Sequence, residues 1–304
     1  EGPAFTPSPP GEAARAIERA AGFDLQRAEV ESEKFHEIYL PVGILPPDQY
    51  MSVLLQATEG CSFNQCTFCR LYENTRFRIK SIEEFRQHAA AVRDFLGQGL
   101  NLHRTVFLGD ANALVVPTDR LLDFLKSTSE LFPEQAQGGV HGFLDGFSGE
   151  KKSIQAYQAL ADHGLKRVYI GLESGHDPLL KFLNKPGSAS DAVLAVRKLK
   201  QVGISVGVII LLGAGGQNFA EGHIRDTVEV VSAMGLNLQD QIYFSELIEP
   251  QGAGYAQDAL SADLGELPSE ALERQWREIQ AGLHYSEATG TPHMARYDIR
   301  EFIY

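Results

Sequence analysis

The chain has 304 residues, enough for one large α/β barrel or two modest domains with a substantial core. With 40 acidic against 27 basic side chains its formal charge is −13, which argues against a general electrostatic grip on nucleic acid or on an anionic membrane. No apolar run approaches the ~20 residues that span a bilayer and no charged-then-apolar leader opens the chain, so the sequence predicts a cytoplasmic protein.

The first ten residues, Glu1 to Pro10, are Pro-rich and read as a tail. An Ala/Arg/Ile/Glu pattern then predicts a helix from Glu12 to about Ala21. Strands are predicted at Met51 to Ala57, Thr105 to Gly109, Gly139 to Phe143, Arg167 to Leu172, Ser205 to Leu212 and Gln241 to Leu247. Amphipathic helices are predicted at Ser81 to Leu96, Thr118 to Leu131, Lys151 to His163, Asp177 to Val202, Phe219 to Met234 and Ser269 to His284. Six β/α units in succession require parallel strands, because each return to the sheet crosses over through a helix. The expected class is α/β, as a barrel or an open doubly wound sheet, and in both the ligand binds where strands end and loops begin.

The first predicted strand runs into Thr58-Glu59-Gly60-Cys61-Ser62-Phe63-Asn64-Gln65-Cys66-Thr67-Phe68-Cys69, which holds all three cysteines of the chain. Three thiols cannot close a disulfide framework, and their crowding suits a metal better. An iron-sulfur cube on three thiolates keeps one iron open to a small molecule, whereas structural zinc wants four protein ligands. Zinc completed by His36 or His103 is the alternative, although no Cys/His pair recurs at finger spacing.

The other informative residues also fall at strand ends. Gly109, Asp110 and Asn112 follow the second strand; His141, Asp145 and Phe147 lie on or after the third; Glu173-Ser174-Gly175 ends the fourth. Gly213-Ala214-Gly215-Gly216 ends the fifth, and Tyr243, Glu246 and Glu249 lie on or after the sixth. A metal loop, glycines and isolated carboxylates on one rim describe a cofactor pocket. The Gly213 run lacks the third glycine and the later acid of a Rossmann fingerprint, and lacks the Lys-Ser/Thr pair of a P-loop.

From about Leu45 to the closing Tyr297-Asp298-Ile299-Arg300-Glu301-Phe302 the sequence resembles the radical S-adenosylmethionine (SAM) superfamily. The resemblance is carried by the cysteine loop and by Gly171-Leu172-Glu173-Ser174-Gly175 with Leu180-Lys181-Phe182-Leu183-Asn184-Lys185, segments similar to those of oxygen-independent coproporphyrinogen oxidase and of tRNA-modifying members. The family's usual loop spaces its cysteines three and then two residues apart; here the first gap is four, as in a branch with a C-x4-C-x2-C loop. The fold implied is a partial (β/α)6 TIM-like barrel of the radical SAM type over 45–304, with a carboxy-terminal helical closure, after a tail and helical extension over 1–44.

The resemblance also implies that Cys61, Cys66 and Cys69 hold a [4Fe-4S] cluster whose free iron takes S-adenosyl-L-methionine. An electron from the cluster then breaks a carbon-sulfur bond to give methionine and a 5′-deoxyadenosyl radical. Phe68 would pack on the adenine, Gly109 and Asp110 would meet the methionine ammonium, and Glu173 the ribose hydroxyls. Lys185 would face the methionine carboxylate, and the backbone of Gly213 and Gly215 would line the adenine. Relatives acting on porphyrins carry an aspartate on the fifth strand where this chain has Ile209, which argues against a porphyrin substrate. The expected substrate is a small molecule within reach of His141, Asp145, Tyr243 and Glu246, with electrons from a donor such as flavodoxin or ferredoxin. With no second cysteine group, an auxiliary cluster is not expected. The alternatives are a radical-SAM-fold binding protein such as a haem chaperone, or a tRNA-modifying enzyme.

Protein reconstituted without air should therefore bind about four irons and show a broad visible band, and replacing any one cysteine by Ala should abolish both. Stoichiometric zinc without iron in anaerobically purified protein would overturn this expectation.

Overall fold

The computed structural model describes residues 11–149, 151–248, 252 and 254–301. The expected Pro-rich tail and Glu249 lie outside them. Two compact units are present, Glu1–Pro41 and Val42–Tyr304. The first holds helices α1 (Gly11–Ala21) and α2 (Leu25–Ile38), the latter capped where Asp24 accepts from the Arg27 amide at 2.9 Å.

The second unit opens with β1 (Val53–Gln56), then a short antiparallel pair, β2 (Thr58–Glu59) and β3 (Arg78–Ile79), and α3 (Ile82–Leu96). Next come β4 (Val106–Gly109), α4 (Thr118–Leu131), α5 (Pro133–Gly138), β5 (Val140–Phe143), α6 (Gly146–Gly149), α7 (Ile154–Asp162) and β6 (Leu165–Glu173). The chain continues through α8 (Asp177–Phe182), α9 (Ala189–Gln201), β7 (Ser205–Leu212), α10 (Gly216–Ala233), β8 (Gln241–Glu246), α11 (Gly254–Ser261), α12 (Ser269–Gly282) and β9 (His293–Tyr297).

Seven strands form one sheet in the order β1-β4-β5-β6-β7-β8-β9, and every neighbouring pair is parallel. β1 and β9 are not paired, so the sheet stays open as a partial TIM-like barrel. Val53, Leu55, Phe107, Val168, Val208 and Ile210 are all fully buried, because crossover helices leave no face of a parallel sheet to water. All six predicted strands are present. β9 was not among them: most of His293-Met-Ala-Arg-Tyr297 is exposed at the sheet edge, so the strand carries no apolar run. The single helix expected over Asp177 to Val202 is two, because Asn184 (φ 51°), Pro186 and Gly187 (φ 80°) cannot continue a helix.

A one-turn helix at Pro47–Gln49 plugs the amino-terminal ends of the strands. Asp48 accepts from Arg167 Nη1 at 3.0 Å, Tyr169 OH at 2.6 Å and Tyr243 OH at 2.8 Å. Gln49 Oε1 accepts from Ser52 Oγ at 2.7 Å and from His141 Nδ1 at 2.6 Å. Burial pushes the His141 imidazole down to about 4; Arg167 adds to this and Asp48 opposes it.

A folded value below the unfolded ~6.5 means that the unfolded chain takes the proton first as pH falls. This contribution to stability is complete above about pH 6.5 and lost toward about pH 4, and amounts to at most about 3 kcal/mol. His223 is likewise pushed down to about 4, so His141→Gln should flatten the acid loss of stability without abolishing it. Urea midpoints of the iron-free proteins at about pH 7 and pH 4.5 measure this; identical pH slopes would show that His141 titrates freely.

Candidate functional site

At the opposite, carboxyl-terminal ends of the strands lies a cavity of about 250 Å3. Cys61, Cys66, Cys69 and Phe68 line it from the loop after β2, Asp145 from the β5 end, Glu173 from β6, Lys185 from the break between α8 and α9, and Glu246 from β8. The rest of the wall is mainly apolar and includes Phe63, Phe147, Leu247 and Ile248.

The cysteine loop is clasped at its base. β2 and β3 pair Thr58 with Ile79 and Glu59 with Arg78. Arg78 donates to Glu59 at 2.5 Å and to Glu84 at 2.7 Å, while Lys80 donates to Glu59 at 2.7 Å. Burial opposes the Glu59 charge, but Arg78 and Lys80 outweigh it and hold the carboxyl below its usual range. Beneath the loop, Asp110 accepts from Gly60 N at 3.0 Å and Gln56 Nε2 at 3.1 Å, and its own amide donates to Thr58 Oγ1 at 3.0 Å. Burial pushes Asp110 up to about 6 against those two donors.

Asp110 thus binds the residue before Cys61 and is not among the residues that line the cavity. Gly109 does not line it either. A Cβ there would stand 3.0 Å from Leu54 Cδ1, so this glycine leaves room for the Leu54 side chain.

Within the loop, the Asn64 amide donates to Cys61 Sγ at 3.3 Å and the Asn64 side chain to Tyr72 O at 2.8 Å. Asn184 Nδ2 donates to Gln65 O at 2.7 Å and the Thr67 amide to Leu183 O at 3.1 Å, which moors the loop to the end of α8. All three cysteines are free and half-buried. Burial pushes Cys66 up to about 12, opposed by the positive charge of Lys185. A bound cation reverses that balance, since metal ligation takes the thiolate. Among the described residues no three His, Cys, Asp or Glu side chains are gathered tightly enough for a single ion. Three free, half-buried thiols, with an amide donating to one sulfur and a cavity beside them, fit a multi-iron cube with an open corner.

Glu173 ends β6 in left-handed backbone (φ 62°), where the register with β7 shifts between Gly171 and Glu173. Its carboxylate accepts from Lys185 Nζ at 2.8 Å. Burial opposes the charge on Lys185, but Glu173 outweighs it and holds the ammonium above its usual range. At Gly171 a Cβ would meet Glu173 Oε1 at 2.5 Å and Lys185 Nζ at 3.2 Å, so a larger residue there would push the pair aside.

Phe68 lines the cavity and also packs against the buried cluster of Leu179, Leu183, Leu211, Ala214 and Tyr255. Asp145 accepts from the Ser148 amide at 2.7 Å and from Asn112 Nδ2; burial raises its carboxyl. Glu246 is bound to Arg296, which donates to Glu273 at 2.6 Å and lies 4.9 Å from the Trp276 ring.

Four further expectations lie away from the cavity. Gly213 and Gly215 turn β7 into α10 with φ of 81° and 76°, and their amides are bound to Gln275 Oε1 at 2.9 Å and Tyr255 OH at 2.8 Å. His141 and Tyr243 belong to the plug around Asp48 and Gln49, because they stand second on β5 and third on β8, near the wrong strand ends for a ligand. The sequence in turn left out Ile44, Tyr72 and Tyr297, which line the cavity from segments with no strand or helix signal.

The model of the radical SAM superfamily matches residues 55–229, more than half of the chain. The chain belongs to the radical SAM superfamily. The cofactors of this family are a [4Fe-4S] cluster and S-adenosylmethionine, in keeping with the three thiols beside the cavity.

Among solved structures it is similar to the cobalamin-dependent S-adenosylmethionine radical enzyme OxsB, at 18% identity and a TM-score of 0.45 over 73% of this chain and 30% of that one. It is similar also to coproporphyrinogen III oxidase HemN from Escherichia coli, at 13% identity and a TM-score of 0.54 over 86% of this chain and 56% of that one. A third is HydG, a maturase of the [FeFe]-hydrogenase, at 13% identity and a TM-score of 0.51 over 93% of this chain and 66% of that one. The chain thus spans about 30% of OxsB and little more than half of HemN, and the likeness to HemN and HydG, at these identities, is one of fold. No curated protein matches the chain. No described helix is long and apolar enough to cross a membrane.

Asp110→Ala should leave the Gly60 and Gln56 donors without an acceptor and destabilise the iron-free protein by about 1–3 kcal/mol, with Asp110→Asn recovering part of the loss. Denaturant unfolding measures this. Equal midpoints for wild type and Asp110→Ala would show that the carboxylate does not hold the loop.

Proposed function

We propose that this radical SAM protein reductively cleaves S-adenosylmethionine and directs the resulting radical at a small molecule held in the same cavity, with electrons from a donor such as flavodoxin or ferredoxin. The observation that carries this reading is one cavity that collects three thiols, an ion pair and a mainly apolar wall. Cys61, Cys66 and Cys69 would hold the cluster, and the bound cluster and cofactor together supply the radical chemistry.

The protein's own part is to bind, orient and exclude water. The Glu173 carboxylate can accept from both vicinal ribose hydroxyls, and Lys185 beside it donates to the same carboxylate. Lys185 is also a cation for the methionine carboxylate, and Phe68 offers a ring face to the adenine. Phe63, Phe147, Leu247 and Ile248 keep the space dry, which suits a reactive intermediate that water and solutes would quench. Asp145 and Glu246 are the acidic groups placed to meet the substrate.

A small molecule is favoured over RNA because the basic run after the cysteines is largely neutralised within the fold. Arg78 and Lys80 are committed to Glu59 and Glu84, which leaves few phosphate contacts.

Reduced holoenzyme should cleave S-adenosylmethionine faster with the small-molecule fraction of a host extract than with its RNA or protein fraction. Stimulation by RNA alone, lost in an Arg76→Ala/Arg78→Ala variant, would turn the reading to nucleic-acid modification. Haem binding with no cleavage would make the protein a carrier instead.

A further inference from the structure

The turn after β6 is held from behind the sheet by a buried hydrogen-bond hub. Glu173 sits in left-handed backbone, which a glutamate adopts only where its surroundings enforce it. The three amides that follow are all engaged: Ser174 N donates to Leu172 O at 2.8 Å, Gly175 N to Thr227 Oγ1 at 2.9 Å and His176 N to Ser174 Oγ at 3.0 Å. The Ser174 and Thr227 hydroxyls then converge on one atom, His223 Nδ1, at 2.7 and 3.2 Å. Ser174, His223 and Thr227 are each 0% exposed.

Each hydroxyl accepts an amide proton and keeps a second lone pair and its own proton, so the ring can meet both hydroxyls in either neutral tautomer, and the contact ties the turn to α10. Burial pushes His223 down to about 4, with His176 adding to this and the Leu211 backbone opposing it, so the ring is neutral near pH 7. The turn also presses directly on α10: a Cβ at Gly175 would lie 2.4 Å from Asp226 O. A second tie joins His176 Nδ1 to Asp226 Oδ2 at 2.5 Å.

We infer that His223 is a positioning residue: through the Ser174 and Thr227 hydroxyls it sets the backbone turn at Glu173 and so aims the Glu173 carboxylate, with Lys185, into the cavity. The inference rests on the reading above that Glu173 takes the ribose of S-adenosylmethionine. His223 does not line the cavity itself, so its effect on the cofactor must pass through Glu173.

The test is a double-mutant cycle read by titrating S-adenosylmethionine into reconstituted, unreduced holoenzyme, with iron content measured in parallel. His223→Leu should weaken binding about ten-fold at unchanged iron content. His223→Asn, whose side-chain oxygen can stand near the Nδ1 position, should stay within about three-fold of wild type. In a Glu173→Gln background, His223→Leu should add less than about two-fold, since the group it aims is already disabled.

Fully additive losses would show that His223 acts elsewhere and would sink the inference alone. No loss in Glu173→Gln itself would remove the ribose reading of Glu173, and the inference with it. If His223→Leu fails to hold iron, Ser174→Ala replaces it in the same cycle under the same criteria.

Discussion

A carboxylate and an ammonium stand 2.8 Å apart in a mainly apolar cavity, each the other's partner. Much of the local architecture of the site serves the Glu173–Lys185 pair. Gly171 gives up its side chain to make room, the β6–β7 register shifts beside it, and Glu173 takes a left-handed backbone. On the other side, the break between α8 and α9 takes Lys185 off a helix and into the cavity. The pair is thus the product of two local departures from regular structure, one in a strand and one in a helix.

The same break links the ion pair to the cysteine loop. Asn184, which ends the helical run, donates to Gln65 O, and Leu183 accepts from the Thr67 amide. Tyr255 extends the chain of contacts, since its amide donates to Thr67 O and its hydroxyl accepts from Gly215 N. The residues between Cys61 and Cys69 are therefore moored on one side to the segment that carries Lys185 and on the other to the end of β7. Asp110 and the β2–β3 clasp fix the loop from below. These ties, with the packing of Phe68, order the loop of half-buried thiols before a metal binds.

Polar side chains in the barrel divide between two ends. Asp48, Gln49, His141, Arg167, Tyr169 and Tyr243 satisfy one another at the amino-terminal ends of the strands, whereas the carboxyl-terminal ends keep the thiols, the ion pair and the acidic groups. The first set closes the floor of the fold, and the second opens on the cavity. That division follows from strand direction, because in a parallel sheet all loops that can carry a ligand site emerge at one end.

Local pattern was enough for the class of fold and for singling out Cys61, Cys66, Cys69 and Glu173, which the fold gathers around one cavity. Repeated strand and helix periodicities required parallel crossovers, and a cysteine loop is legible as a short run of residues whatever surrounds it. Where side chains pointed was decided by the tertiary structure. His141 and Tyr243 lie within strands recognised from sequence, yet register and strand direction sent them to the floor. Asp110 follows the second strand as read, yet the Gly60 amide and the Gln56 side chain, distant in sequence, hold it beneath the loop. Tyr297 entered the cavity from an edge strand whose exposed residues carry no periodic signal. Periodicity records which residues meet water and which do not, and it can be read along the chain. The direction of a side chain within a buried layer depends on partners distant in sequence, and only the folded structure brings those together.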